Sequence, residues 1–202
     1  SDFQNAIERS SIVSRADKGG IITYVNQNLI ALSGYSECEL LGKNHRVMNS
    51  GHHPQSFWKE MWETISSGKM WRADVRNRAK DGSLYWVDTF IMPFLDENGK
   101  VFEFLCIRNN ITERVNALES LQAREKQLSS VYNTAADIVF VLDVEEGGQY
   151  RFASVNNAFQ LTTGIAASQV EGKRVEEVIP QPSLDLVIEK YREAISDKKI
   201  VR

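Results

Sequence analysis

An internal repeat narrows the possible folds of this chain more than any other feature. Tyr24-Val25-Asn26 through Gly42-Lys43 and Ser154-Val155-Asn156 through Gly172-Lys173 share the frame V-N-x-x-[LF]-x-x-x-[ST]-G, then an apolar residue two before a G-K pair. Asn26 and Asn156, Gly34 and Gly164, and Lys43 and Lys173 all lie 130 residues apart, so the two copies run in one ungapped register. We read one structural unit used twice. A chain of 202 residues accommodates two such units of about 100 residues, each with a modest core.

The first copy resolves into elements. Gly19-Gly20 is a turn signal between Ile12–Ala16 and Ile21–Val25, both rich in β-branched residues, which predicts a hairpin. Asn28–Leu32 and Cys38–Leu41 read as short helices ended by Gly34 and Gly42. Pro54–Ile65 carries Phe57, Met61, Trp62 and Ile65 at helical spacing. Met70–Asn77, Leu84–Phe94 and Val101–Ile107 read as strands separated by Lys80-Asp81-Gly82 and Asp96-Glu97-Asn98-Gly99, both hairpin turn chemistry. The fold class is therefore α+β: a five-stranded antiparallel sheet with short helices over one face, and a ligand space beneath them.

From Ile111 to about Tyr132 the pattern becomes one long helix without Gly or Pro. Ile111, Leu118, Leu121, Leu128 and Tyr132 take seam positions that Arg114 and Glu125 interrupt. Two readings follow, a solvated connector or a dimerising helix that transmits rotation. The second copy repeats the scheme from Ile138–Asp143 through a helix at Leu184–Ile195. It stops at Val201-Arg202, where the repeat predicts three further strands, so the second domain is expected to be incomplete.

Charge and cysteine usage exclude whole classes. With 24 basic and 27 acidic residues, and neither sign dominating a long stretch, no nucleic-acid or membrane partner is expected. Cys38 and Cys106 have no CxxC spacing and no metal-forming neighbours, which points to a reducing compartment; with no membrane-length apolar run and no leader pattern, the expectation is cytoplasmic. There is no phosphate loop, no paired catalytic carboxylates and no nucleophile beside a base, so the fragment is not expected to be an enzyme.

The motifs I-T-Y-V-N, L-S-G-Y, E-L-L-G-K-N-H-R, N-S-G-H-H-P, N-R-x-K-D-G and Y-W-V-D, closing in Asn110-Ile111-Thr112, resemble the PAS family. The first unit is most similar to the flavin-adenine-dinucleotide (FAD)-binding PAS domains of bacterial redox and aerotaxis sensors. The second resembles PAS domains found ahead of histidine kinases and diguanylate cyclases. The resemblance implies two PAS folds joined by a long connector helix: residues 1–113 as a flavin-binding domain, 114–132 as connector, and 133–202 as a second PAS domain. It further implies sensing of redox state or oxygen through non-covalently bound FAD. The signal would pass along the connector to an output domain of the same polypeptide, such as a histidine kinase, a diguanylate cyclase or a chemotaxis module, in a homodimer.

By that resemblance Asn26, His45, Arg46, Asn49, Trp71 and Asn77 are expected to line the flavin slot, Arg46 neutralising a phosphate or reduced-ring charge. His45 falls where the related light-oxygen-voltage photoreceptors carry their reactive cysteine, so adduct photochemistry is not expected; their second ring-reading amide falls on Val87, and Ala73 stands where near relatives have glycine. Read from the residues alone, Asn26 equally suits a helix cap. Trp58, Trp62 and Trp86 read as core anchors. His52 and His53, ahead of Pro54, suit neither a metal nor a haem helix. A cofactor-free PAS module for dimerisation and relay remains the alternative.

Overall fold

Aspartates set the tight turns of the first unit. In the computed structural model, Asp17 Oδ1 accepts from the N–H groups of Gly19 and Ile21, both at 2.9 Å. This reverses β1 (Ile12–Asp17) into β2 (Ile22–Val25). Asp81 does the same through Ser83 N between β3 (Trp71–Arg78) and β4 (Leu84–Leu95), and Asp96 through Asn98 and Lys100 between β4 and β5 (Val101–Asn110). Such side-chain-to-backbone bonds are why Asp dominates these positions. The strands form one antiparallel sheet in the order β2-β1-β5-β4-β3, which puts the first hairpin beside the last strand. The structure describes residue 6, residues 8–145 and residues 147–197. Val201-Arg202, where the repeat scheme runs out, and both chain ends of the expected domain ranges lie outside the described residues.

Between β2 and β3 come α1 (Gln27–Ser33), α2 (Glu37–Leu40), a 3₁₀ turn at His45–Met48 and α3 (Gln55–Ser66). Leu29, Leu40, Met48, Met61 and Ile65 from these segments share one core with Ile22, Trp71, Val75, Val87, Ile91 and Phe104 from the strands. α4 (Thr112–Thr134) follows, and the chain divides into two compact units at Ser120/Leu121, within this helix. The second unit holds β6 (Phe140–Glu145), β7 (Gln149–Val155), α5 (Asn157–Thr163), α6 (Ala167–Val170), α7 (Val175–Val178) and α8 (Ser183–Asp197). Among the described residues it has no counterparts of β3, β4 and β5.

The residues that define the repeat turn out to be its framework. Asn26 Oδ1 accepts from Leu29 N at 3.1 Å, capping α1, and from Val13 N at 3.0 Å. Its Nδ2 donates to Ser11 O and Glu8 O. Asn156 repeats the pattern with Phe159 N and Val139 N as donors and Asp137 O and Tyr132 O as acceptors. Gly34 and Gly164 end their helices in the left-handed region, φ 70° and 72°, where a Cβ is disfavoured. Gly42-Lys43 and Gly172-Lys173 each clasp a strand residue, Ile22 in one unit and Phe152 in the other, by two backbone bonds.

Two expected elements differ. β5 continues past Ile107 to Asn110, because β4 is long enough to pair Val87 with Asn110. The expected seam from Ile111 to Tyr132 shortens at both ends. Ile111 precedes the helix and is buried, while the Tyr132 hydroxyl bonds Val139 O and Ser154 Oγ in the second unit. Between them α4 buries no residue, and Leu118, Leu121 and Leu128 are exposed. Among the described residues no helix is long and apolar enough to cross a membrane.

Candidate functional site

Alternation along the strands decides what faces the inside of the first unit. Trp71, Val75 and Asn77 of β3, Thr89 and Ile91 of β4, and Phe104, Cys106 and Arg108 of β5 point to one side. α3 faces them with Trp58, Met61, Trp62 and Ile65, and the 3₁₀ turn with His45, Arg46 and Met48. Together with Ala16, Gly20, Asn44 and Asn49 they enclose a cavity of about 340 Å³. Gly20 is needed here: it sits at φ 77°, and a Cβ would stand 2.6 Å from Trp62.

Five of the six expected residues, His45, Arg46, Asn49, Trp71 and Asn77, line this one cavity. Trp71 and Asn77 are buried on the sheet, whereas Arg46 and Asn49 are exposed at the edge of the turn. Backbone pairing of Asn49 with Asn77 ties the end of that turn to β3. Asn26 is the correction: it does not line the cavity, since both ends of its amide are spent on backbone groups of β1, α1 and the segment before β1. Trp58 and Trp62, expected only as core anchors, also line the cavity, being on the same helical face as Met61 and Ile65. Ala73 and Val87 are core residues off the wall; the next inward position after Val87 is Thr89.

Sequence reasoning missed a buried polar chain. Arg108, 6% exposed, donates from Nη1 to Ser14 Oγ at 2.8 Å, and Ser14 Oγ lies 3.0 Å from His45 Nε2. A guanidinium can only donate, so Ser14 Oγ accepts from Arg108; the hydroxyl keeps a second lone pair as well as its proton, and the imidazole tautomer sets which of Ser14 and His45 donates in the second bond. Burial, and then the positive charge of Arg108, hold the His45 ring down to about 3, against the pull of its bond with Gly20. This sets a serine beside a histidine, a pairing not expected from the sequence. Ser14 is fully buried and off the cavity wall, so a substrate atom cannot reach its oxygen. Extending β5 by its own alternation from Phe104 and Cys106 would have pointed Arg108 inward.

The histidines of the following loop fix its position. His53 Nε2 accepts from Arg76 N at 2.9 Å, and its ring stacks on Phe57 at 4.2 Å. Trp58, which lines the cavity, has its Nε1 buried with no hydrogen-bond partner. An orphaned donor, a buried cation and three indole walls around apolar Met61, Val75, Ile91 and Phe104 suit a flat ring with acceptors on its edge.

A model of the PAS fold matches residues 22–108, and one of the PAS domain matches residues 126–198. The chain is 30% identical over 145 residues to a nitrogen fixation regulatory protein of Klebsiella pneumoniae, covering 71% of this chain and 29% of that protein. It is 33% identical over 113 residues to the aerotaxis receptor of Escherichia coli K12, covering 55% and 22%. The chain thus spans less than a third of the length of these relatives. Among solved structures, an RNA-binding light-oxygen-voltage receptor superposes with a TM-score of 0.52 at 24% identity, covering 62% of this chain and 37% of that one. A light-oxygen-voltage domain studied with a flavin analogue gives 0.51 at 23%, covering 63% and 96%. At those identities the likeness is one of fold.

Proposed function

This chain belongs to the PAS family, as two successive domains, and from that premise we propose that the first holds a flavin and reports redox state or oxygen. PAS domains of this kind are sensory modules of signal-transduction proteins, and both relatives named above are regulators or receptors. The observation that carries the reading is convergence: five residues expected from the family resemblance meet at one cavity, which Trp58, with its unpartnered indole N–H, also lines.

A bound flavin supplies reversible electron transfer, and the protein supplies the slot. Trp58, Trp62 and Trp71 pack on the ring, while Asn77, Thr89 and Arg108 offer polar groups to its edge. Arg46 and Asn49, at the exposed edge, hold the phosphate end; we assign FAD rather than the mononucleotide on the family resemblance. Residues 1–113 form the sensor, 114–132 the connector and 133–202 the second PAS domain, which hands the signal to an output domain. Leu118, Leu121 and Leu128, exposed on α4, give a second copy of the chain an apolar face to dimerise on.

The test is ligand identity. Purified protein should be yellow, release FAD on heat denaturation as read by mass spectrometry, and lose occupancy in Trp71→Ala and Asn49→Ala while keeping its fold. Losing the ring contact should cost about 1 to 3 kcal/mol of binding. Colourless protein that no flavin reconstitutes would instead support the cofactor-free relay module.

A further inference from the structure

Arg108 is a buried cation without a counter-ion. Arg108 lines the cavity, and one of its five side-chain N–H groups is engaged by Ser14. Among the described residues it has no ion-pair partner; the acids that pair with the arginines of β1 and β3 do so at the sheet surface, Arg15 with Glu103 and Arg72 with Asp88. An unpaired buried charge is costly, and a core that had only to satisfy itself would hold an apolar residue here.

The groups packed around Arg108 cannot supply the negative charge. On the 3₁₀ turn, His45 is neutral. On β4, burial pushes the Tyr85 phenol up to about 12, and on β5 it pushes the Cys106 thiol up, so both keep their protons. From β1 comes only the Ser14 hydroxyl. The missing anion has to enter with the ligand.

We propose that Arg108 meets the electron-rich edge of the bound ring and makes the site prefer reduced, anionic flavin over oxidised flavin; this rests on the flavin reading above. The charges balance: an oxidised, neutral ring that takes two electrons and one proton becomes a monoanion, and the pairing of that anion with a guanidinium is stronger than that of a neutral carbonyl edge. Arg108 is then a contact residue that sets the potential at which the sensor responds.

The test is a redox titration of the full chain loaded with FAD, with dithionite as reductant, in wild type, Arg108→Lys, Arg108→Gln and Arg108→Met. Both neutral variants should lose at least tenfold of the preference for reduced flavin, a fall of about 30 mV per tenfold for a two-electron couple. Arg108→Lys should retain part of it. Independently of any variant, ¹⁵N NMR of the reduced wild-type complex should show N1 still unprotonated below the pH at which free reduced flavin takes its second proton. Unchanged potentials in both neutral variants at equal occupancy, or an N1 that protonates as in free flavin, would overturn the role of Arg108 and leave the flavin reading intact. Wild-type protein that takes up neither FAD nor the mononucleotide would overturn both.

Discussion

Acidifying this protein should unlock the first unit through His45 before its carboxylates respond. The unfolded chain charges that imidazole near its ordinary 6.5, whereas the folded one resists to about 3 because the ring is buried and lies beside the positive charge of Arg108. Between those values only the unfolded state binds the proton, so stability falls as pH falls. It is fully present above about 6.5, and the loss would be complete only near 3. From pH 7.5 to 5 the linkage gives a loss of about 2 kcal/mol, of the 4 to 5 kcal/mol or so available over the whole window.

The assay is urea unfolding followed by tryptophan fluorescence. All four tryptophans, Trp58, Trp62, Trp71 and Trp86, lie in the first unit, so the signal reports that unit in the full chain. His45→Gln keeps an acceptor for Ser14 and removes the titration. Wild type should therefore lose about 2 kcal/mol more than the variant across the range. His53, also held below its ordinary value by burial and by His52, contributes to both proteins alike and cancels. Parallel losses, differing by less than about 0.5 kcal/mol, would refute the assignment of a neutral, chain-bound His45.

Asn26→Ala and Asn156→Ala should each cost about 2 to 4 kcal/mol in their own units, by stranding buried backbone groups; tryptophan fluorescence reads the first and circular dichroism the second. Gly20→Ala should destabilise the first unit by about 1 to 3 kcal/mol and displace Trp62, visible as a shifted emission maximum, since φ 77° and a 2.6 Å contact both oppose a Cβ. Blue light without a reductant should leave the oxidised flavin bands unbleached, because His45 cannot form a thiol adduct and burial keeps the Cys106 thiol protonated; reversible bleaching abolished by Cys106→Ser would contradict this.

What was legible in the sequence was what local chemistry dictates. Gly19-Gly20, Asp81-Gly82 and Asp96 through Gly99 announce turns because their side chains or φ values make the turn by themselves, and the five strands follow from the runs between them. The cavity was legible only through family resemblance, which brought His45, Arg46, Asn49, Trp71 and Asn77 to one cavity without saying why. Asn26 misled because a buried polar residue beside a helix start can serve a ligand or a cap, and only tertiary contacts with Val13 and Ser11 decide. Ser14 and Arg108 were invisible for a related reason. They are 94 residues apart, and β1 meets β5 only when the sheet closes in its observed order.

The second unit supplies a control that the chain carries within itself. The helical region keeps its offset of 130, which sets Val175 at the place of His45, Glu176 at that of Arg46 and Ile179 at that of Asn49. Along the first strand the counterpart of Ser14 is Phe140, since Ser14 pairs with Val25 and Phe140 pairs with Val155. Where the first unit builds a hydrogen-bonded chain from serine to histidine, the second packs Phe140 against Phe152 and buries Val175 completely. The caps, left-handed glycines and strand clasps are common to both, so the framework does not require the polar groups at these positions. Burying Ser14 and His45 instead of apolar side chains costs desolvation that apolar packing avoids. Ser14 and His45 have apolar counterparts in the second unit, Phe140 and Val175, which is the difference a ligand site in the first unit predicts and a shared core does not.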